Sequence, residues 1–476
     1  VDTNLSLIAP EIALGVAGAL IILLDAFVPG GLSRNVILAL AVVGIIVSAA
    51  LALPLAGLNS FAFSGAIAVD TYAVFFKLLF LSATLLVLLA STSLLDSVAR
   101  FRAEFVGLLL LATVALMLLA AAHELITLYV ALEMSSLSTA FLAAWNRNDG
   151  RSVEAGLKYF LLSAMSSAVL LYGLALLYGL AGSTRLDTIG LAVANTPNAG
   201  LFLAMALVLA GFGFKVSAVP FQMWTPDVYE GAPTAVTAYL SVASKAAGFA
   251  ALVRVLTTAL PAAQADWAVL IAGLAAATMT VGNVVALVQS NIKRMLAYSS
   301  IAQAGYVLVG IAASSPRGYS AVLFYLLAYT ATNLAAFLTV VAIIRLIGSE
   351  RIADFRGLRQ RSPWLAFALA VSLLSLAGLP PFAGFFSKLY VFSAAVQSGL
   401  IWLVLLGVLN SAISLYYYAQ VIHDMYMVPP EGGGIAPLTV SHAVSLAVAV
   451  AGVLLLGVLS GAVLRFDDLA ALALAR

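Results

Sequence analysis

The stretch that decides the fold is Gly211-Phe-Gly-Phe-Lys-Val-Ser-Ala-Val-Pro-Phe-Gln-Met-Trp-Thr-Pro-Asp-Val-Tyr-Glu-Gly-Ala-Pro233. It continues the apolar run Leu201-Phe-Leu-Ala-Met-Ala-Leu-Val-Leu-Ala210. A run of this length is built to lie in lipid. A lysine at 215 and a proline at 220 then place a cation and a helix breaker inside it. A charge there costs roughly 2.5–3.5 kcal/mol on insertion scales. Proline removes a backbone donor and clashes with the preceding turn. The freed backbone groups are tolerated in a membrane only inside protein or against a wet cavity. The stretch therefore predicts a helix that opens at a hydrated point beside a buried lysine.

Composition agrees. Of the 476 residues, 64% are hydrophobic and 9% charged, and the mean hydropathy is +1.13. A soluble domain has more charge than this, so the chain reads as an all-α polytopic membrane protein. The apolar runs are too long and too unbroken for a transmembrane barrel. There is no cysteine, which removes disulfides, thiolate metal sites and bound iron–sulfur clusters. The net charge of +2 comes with no basic tail, so no nucleic-acid partner is expected. No Lys or Arg precedes the first apolar run, so no cleavable signal is expected.

Run lengths and flanking residues predict about 14 spans, near 6–28, 35–57, 71–92, 104–122, 124–145, 154–181, 199–219, 232–257, 266–289, 292–313, 318–347, 363–398, 400–427 and 437–464. They are numbered 1 to 14 below. Arg34, Arg100, Arg102, Arg147, Arg151, Lys293, Arg294, Arg345, Arg351, Arg356, Arg359 and Arg361 fall on one side of such a bundle. Arg185, Arg254, Arg317, Arg465 and Arg476 fall on the other. The bias puts the first side inside and both termini outside.

Every arginine is expected at a span end or in a loop. Lys77, Lys158, Lys215, Lys245 and Lys388 instead fall within spans. The choice is chemically selective. Arginine keeps its proton when buried, whereas a desolvated lysine can give it up. Lys77 and Lys158 are near enough to span ends to snorkel outward as purely structural residues, but Lys215, Lys245 and Lys388 are deeper. Glu133 is the one carboxylate clearly at mid-depth. His123, His423 and His442 show no ligand spacing, and no metal site is expected.

A second break is written in Leu376-Ala-Gly-Leu-Pro-Pro-Phe-Ala-Gly-Phe-Phe-Ser-Lys388, through Gly378, Pro380 and Pro381. Spans 7 and 12 are the fourth members of two consecutive sets of five, spans 4–8 and 9–13. An odd number of helices per set inverts the second copy, the inverted-repeat design of many transporters. The expected organisation is an N-terminal three-helix segment at 1–103, repeats at 104–257 and 266–427, and a last helix with its tail at 437–476. Lysine precedes the break in span 7 but follows it in span 12. Small polar residues thread the same region, among them Ser244, Ser299, Tyr329 and Asn333, and could hold water or simply join helices.

The segments Gly211–Thr234, Ser290-Asn-Ile-Lys-Arg-Met-Leu-Ala-Tyr-Ser-Ser-Ile-Ala-Gln-Ala-Gly-Tyr306 and Gly378–Lys388 resemble the antiporter-like membrane subunits of respiratory complex I, and the likeness runs over nearly the whole chain. The resemblance implies that Glu133 of span 5 pairs with Lys215, and that Lys158, Lys245 and Lys388 complete a proton relay. It implies a bacterial inner-membrane location, lipids and other membrane subunits as partners, including sister antiporter-like subunits, and no cofactor on this chain. The NADH, FMN, iron–sulfur clusters and quinone would belong to the rest of the assembly. Sister subunits often carry a histidine near helices 10–12, and none occurs here between His123 and His423. A route from Lys245 to Lys388 would then use water, Ser299, Tyr329 or Asn333. The rival readings are a subunit of a multi-subunit cation/proton antiporter, a plastoquinone-linked photosynthetic homologue and a purely structural scaffold. The tail Trp224–Glu230 has no role at this level beyond shaping the inner end of helix 7.

Overall fold

The computed structural model describes residues 4–97, 101–194, 199–430 and 438–472, so Arg100 and Arg476 lie outside the described residues. Among the described residues, thirteen helices are long and apolar enough to cross a membrane. They correspond to spans 1–11, 13 and 14, with span 1 at Leu5–Phe27 and span 13 at Ile401–Met427. Span 12 is the fourteenth, made of Pro363–Ala377 and Ala383–Gln397. Spans 8, 10 and 11 (Thr234–Ala259, Ile292–Ala312 and Pro316–Ile347) are the most enclosed, while spans 1, 2, 6 and 13 turn much of their apolar surface outward. A helix that is apolar all round belongs in the interior, and these three supply Lys245, Ser300, Tyr306, Tyr329 and Asn333 among the buried polar groups discussed below.

Both breaks fall where the prolines predict, and each is closed by specific partners. Span 7 runs from Ala199 to Val216 and restarts as the short helix Trp224–Gly231. The Phe214 carbonyl accepts from Ser217 N–H at 3.1 Å and from the Trp224 indole at 3.0 Å, and Val219 N–H donates to Thr278 Oγ1 of span 9 at 3.0 Å. In span 12 the first half ends at Gly378, whose φ of +89° suits glycine. Gly384 N–H donates to Ser375 Oγ at 3.0 Å, while Gln303 Nε2 donates to Leu376 O at 3.0 Å. Side chains thus replace the lost helical bonds, as a low-dielectric setting demands.

Three expectations are corrected. Lys77 does not snorkel: its side chain is fully buried, with Nζ 2.8 Å from Glu11 Oε1 of span 1. A buried charge needs an opposite charge, and Glu11 supplies it. Arg254 is not at a span end but five residues inside span 8, which ends at Ala259. It is buried there, held by both Asp70 carboxylate oxygens at 2.8 and 3.1 Å and stacked over the Tyr72 ring. Span 14 is not one helix. Val440–Val458 is followed, after a turn at Leu459, by Ser460–Leu472. A two-stranded hairpin, Ser60–Ala62 with Ile67–Val69, was not foreseen. Its turn is tied by His123 N–H donating to Ala66 O at 2.9 Å.

Candidate functional site

Lys215 lies in the last turn of the upstream half of span 7. Cations are favoured at helix C-termini by the macrodipole. Its side chain lies flat on span 8 at Gly248, where an added Cβ would sit 2.9 Å from Lys215 Cγ. The ammonium then reaches span 5, donating to Ser135 Oγ at 2.9 Å and Ser136 Oγ at 3.1 Å. The implied pairing with Glu133 is not made in this arrangement. Glu133 Oε1 is buried with no hydrogen-bond partner among the described residues. It stands one turn before Ser136, on the adjoining face of the same helix, where residues three apart are neighbours.

Lys245 follows a π-helical turn, Leu240–Ser244, that ends on buried Ser244. Such turns cluster at functional sites because they re-aim the residues after them. Its ammonium donates to Ser300 Oγ of span 10 at 2.7 Å and sits 5.5 Å from the centre of the Tyr229 ring. Tyr229 comes from the short helix after the first break, so the same break that frees Lys215 delivers the aromatic floor of Lys245. The hydroxyls of Tyr229 and Tyr329 face Ser300 without completing a hydrogen bond. Asn333 donates to Ser241 Oγ at 2.7 Å, but its own Oδ1 is unpartnered. Buried polar atoms left without protein partners are where ordered water is held.

Lys388 is in the downstream half of span 12, yet its Nζ reaches back to Ala377 O of the upstream half at 3.0 Å. It passes over Gly378, where a Cβ would sit 2.9 Å from Lys388 Cδ. The ring of Tyr306 lies beneath it, 4.5 Å from centroid to Nζ, a favourable seat for a cation. The sequence mismatch between the repeats is resolved here. Lys215 precedes its break and Lys388 follows one, but both belong to the C-terminal end of the upstream half-helix.

Lys158 is different. Nearly half exposed at the rim, it lies 2.7 Å from Glu154 and 2.8 Å from Asp227. Asp227 also binds Arg294 at 2.8 Å, and Arg294 binds Glu230 at 2.9 Å. Burial raises the proton affinity of Asp227, but the hydrogen bonds from Lys158 and Arg294 outweigh it and hold the carboxyl below its usual range. The tail Trp224–Glu230 thus has a role that sequence reasoning missed. Trp224 caps the break, Asp227 and Glu230 anchor the short helix to spans 6 and 10, and Tyr229 floors Lys245. Ser299 lies off this line, hydrogen-bonded to the Tyr418 hydroxyl of span 13.

The arrangement can do one kind of chemistry. Three buried lysines, a half-buried carboxylate with one unpartnered oxygen, and several unpartnered hydroxyl and amide oxygens can hold and pass protons. Comparisons with known proteins point the same way. Residues 122–414 match the family model "NADH:quinone oxidoreductase/Mrp antiporter, TM". NADH-quinone oxidoreductase subunit N of Trichlorobacter lovleyi is 46% identical over 472 residues, 97% of this chain and 96% of that one. NAD(P)H-quinone oxidoreductase subunit 2 of Gloeothece citriformis is 45% identical over 377 residues, 78% of this chain and 73% of that one. A chain of respiratory complex I from Thermus thermophilus superposes with a TM-score of 0.82 at 36% identity, covering 96% of this chain and 98% of that one. The chain belongs to the transmembrane family shared by NADH:quinone oxidoreductases and Mrp antiporters.

Proposed function

We propose that this chain is a proton-translocating membrane subunit of an NADH–quinone oxidoreductase, in the position its relatives call subunit N. Quinone reduction would take place on other subunits, and sister antiporter-like subunits and lipid would flank this one. The observation that supports the reading is the set of buried titratable groups at and between two helix breaks, Lys215, Lys245 and Lys388, with unpartnered Tyr229, Tyr329 and Asn333 atoms gathered around Ser300 and Ser241 on the Lys245 side.

In the mechanism, Lys215 is the switch. A dry lysine holds its proton while an opposite charge is near and releases it when that charge leaves. Swinging from Ser135 and Ser136 to Glu133 one turn away changes that balance with little backbone movement. Lys245 receives the proton by way of Ser244 and Ser300, water beside Tyr329 and Asn333 carries it across, and Lys388 delivers it to the outer side. Lys158 is a fixed charge at the intake rim. The arginine bias supports termini on the outer face of a bacterial inner membrane. The chain has no cysteine, so single cysteines at Ser290 and Asn59 should label from the inner and outer face respectively.

The deciding experiment is Lys215→Ala in the assembled complex, measuring quinone reduction and ΔpH together. Pumping should fall with assembly intact. Unchanged pumping would sink the relay. Lys215→Arg keeps the charge but not the exchangeable proton, and it should also lose pumping.

A further inference from the structure

A cavity of about 290 Å³ opens on the face that carries the 348–362 linker, lined by Gln289, Arg351, Tyr417 and Asp424 among others. From it a hydrogen-bonded chain runs towards Lys388. Tyr417 OH donates to Asn283 Oδ1 at 3.1 Å, Asn283 Nδ2 reaches Tyr306 OH at 3.3 Å, and the Tyr306 ring underlies the Lys388 ammonium. Protons entering here would reach the last lysine without passing Lys215 or Lys245. A pump with such a shortcut would lose its coupling.

What stands in the way is an amide pair. Asn283 Nδ2 shares its two hydrogens among Tyr306 OH, Asn410 Oδ1 at 3.2 Å and Met279 O at 3.0 Å, and Asn410 Nδ2 donates to Leu406 O at 3.0 Å and Thr280 Oγ1 at 3.4 Å. Every side-chain polar atom of both amides therefore has a protein partner. Hydroxyls can accept one proton and hand on another. A carboxamide has fixed donors and a fixed acceptor and does not titrate near neutral pH. The contrast with the path between Lys245 and Lys388 is sharp. There the unpartnered Tyr229, Tyr329 and Asn333 atoms call for water, whereas here Ser411 Oγ also binds Tyr306 OH at 3.3 Å and no polar atom of the two amides is left over.

We infer that the Asn283–Asn410 pair is a proton barrier that seals Lys388 from the cavity on the linker face, an inference that rests on Lys388 being a proton carrier. The pair lets the Tyr417 and Tyr306 hydroxyls both be satisfied without joining the two into a conducting line. A carboxylate at either position would complete that line.

The test is Asn283→Asp in the assembled complex, reconstituted in liposomes. Quinone reduction should persist, resting proton permeability should rise several-fold, and protons pumped per quinone should fall. Adding Lys388→Met should restore tightness. Asn283→Leu, which keeps the site dry without a titratable group, should stay tight. Should Asn283→Asp fail to assemble, Asn410→Asp places the carboxylate in the same pair and is read the same way. A tight Asp variant overturns the inference, as does a leak that survives Lys388→Met or appears equally in Asn283→Leu. The reading of Lys388 as a carrier fails separately, if Lys388→Met alone pumps normally.

Discussion

Lys388 donates across a break in its own span to Ala377 O, 3.0 Å away. The ammonium thereby caps the carbonyl end of the half-helix Pro363–Ala377, with Tyr306 below and Gly378 alongside. No carboxylate forms an ion pair with it among the described residues, so its partners are dipoles and an aromatic face. A charge held in this way is easily given up, because no counter-ion has to be stranded when the proton leaves. Lys388→Arg should therefore assemble and keep the cap, yet lose most pumping. Protons per quinone in liposomes check this, and normal pumping by the arginine variant would show that only charge is needed.

Lys215 rests on two serines rather than on Glu133. Ser135→Ala with Ser136→Ala removes both contacts, each hydrogen bond to a charged group contributing about 1.5–3 kcal/mol. Lysine should then swing to Glu133 and stay there, giving an assembled complex with slowed, not abolished, pumping. If the double variant pumps at the normal rate, the serines are not one station of the switch.

Lys158 is clamped by Glu154 and Asp227 at the rim. Exposed pairs contribute about 0.2–1 kcal/mol, so stability should change little on substitution. Its role there needs charge, not proton release. Lys158→Arg is expected to pump nearly normally where Lys215→Arg does not, and this difference separates a tuning charge from a relay. Equal losses in both would return Lys158 to the relay.

The two breaks were legible because proline and lysine inside apolar runs are conspicuous, and each needs a physical reason to be there. Lys215, Lys245, Lys388 and Pro220 could be picked out one at a time. Partners could not. Whether Lys215 meets Glu133 or Ser135 depends on which way two side chains point on neighbouring faces of one helix, and periodicity does not resolve that. Lys77 looked like a snorkelling residue because Glu11, its partner, is on another span. The specific roles of Tyr229 and Asn283 were invisible for the opposite reason: tyrosine and asparagine are common in spans, Asn283 was one polar residue among many, and only the geometry sets them beneath one lysine or between a cavity and another. The hairpin at 60–69 was missed because each strand is three residues long, too short for alternation to register.

Glu11 and Lys77 join span 1 to span 3 in a fully buried pair. Removing one partner strands a charge and typically costs about 3–5 kcal/mol, while replacing both by apolar groups is often neutral. Lys77→Met or Glu11→Leu alone should lower the yield of assembled complex, and the double variant should restore it. Native gels of solubilised membranes report this directly. A double variant as poor as either single one would mean that the pair does more than hold the two spans together.

His123 gives a pH-dependent prediction outside the spans. It is packed against Phe61 at 4.7 Å between ring centroids, with both ring nitrogens unpartnered. Burial, aided by the charge of Arg254, pushes it from 6.5 down to about 4. The unfolded chain therefore binds this proton more readily than the folded one. Stability contributed by the neutral ring is present above about pH 6.5 and is lost as pH falls towards 4. A shift of this size corresponds to about 3 kcal/mol at the acid end. Asp187, 4.0 Å from the ring, does not titrate in that window, because hydrogen bonds from Arg185 hold it at about 2. His123→Phe should therefore flatten the acid-side fall in melting temperature of the solubilised complex between pH 6.5 and 4, leaving the value at pH 7.5 nearly unchanged. An equally steep fall in the variant would assign the acid sensitivity to other groups.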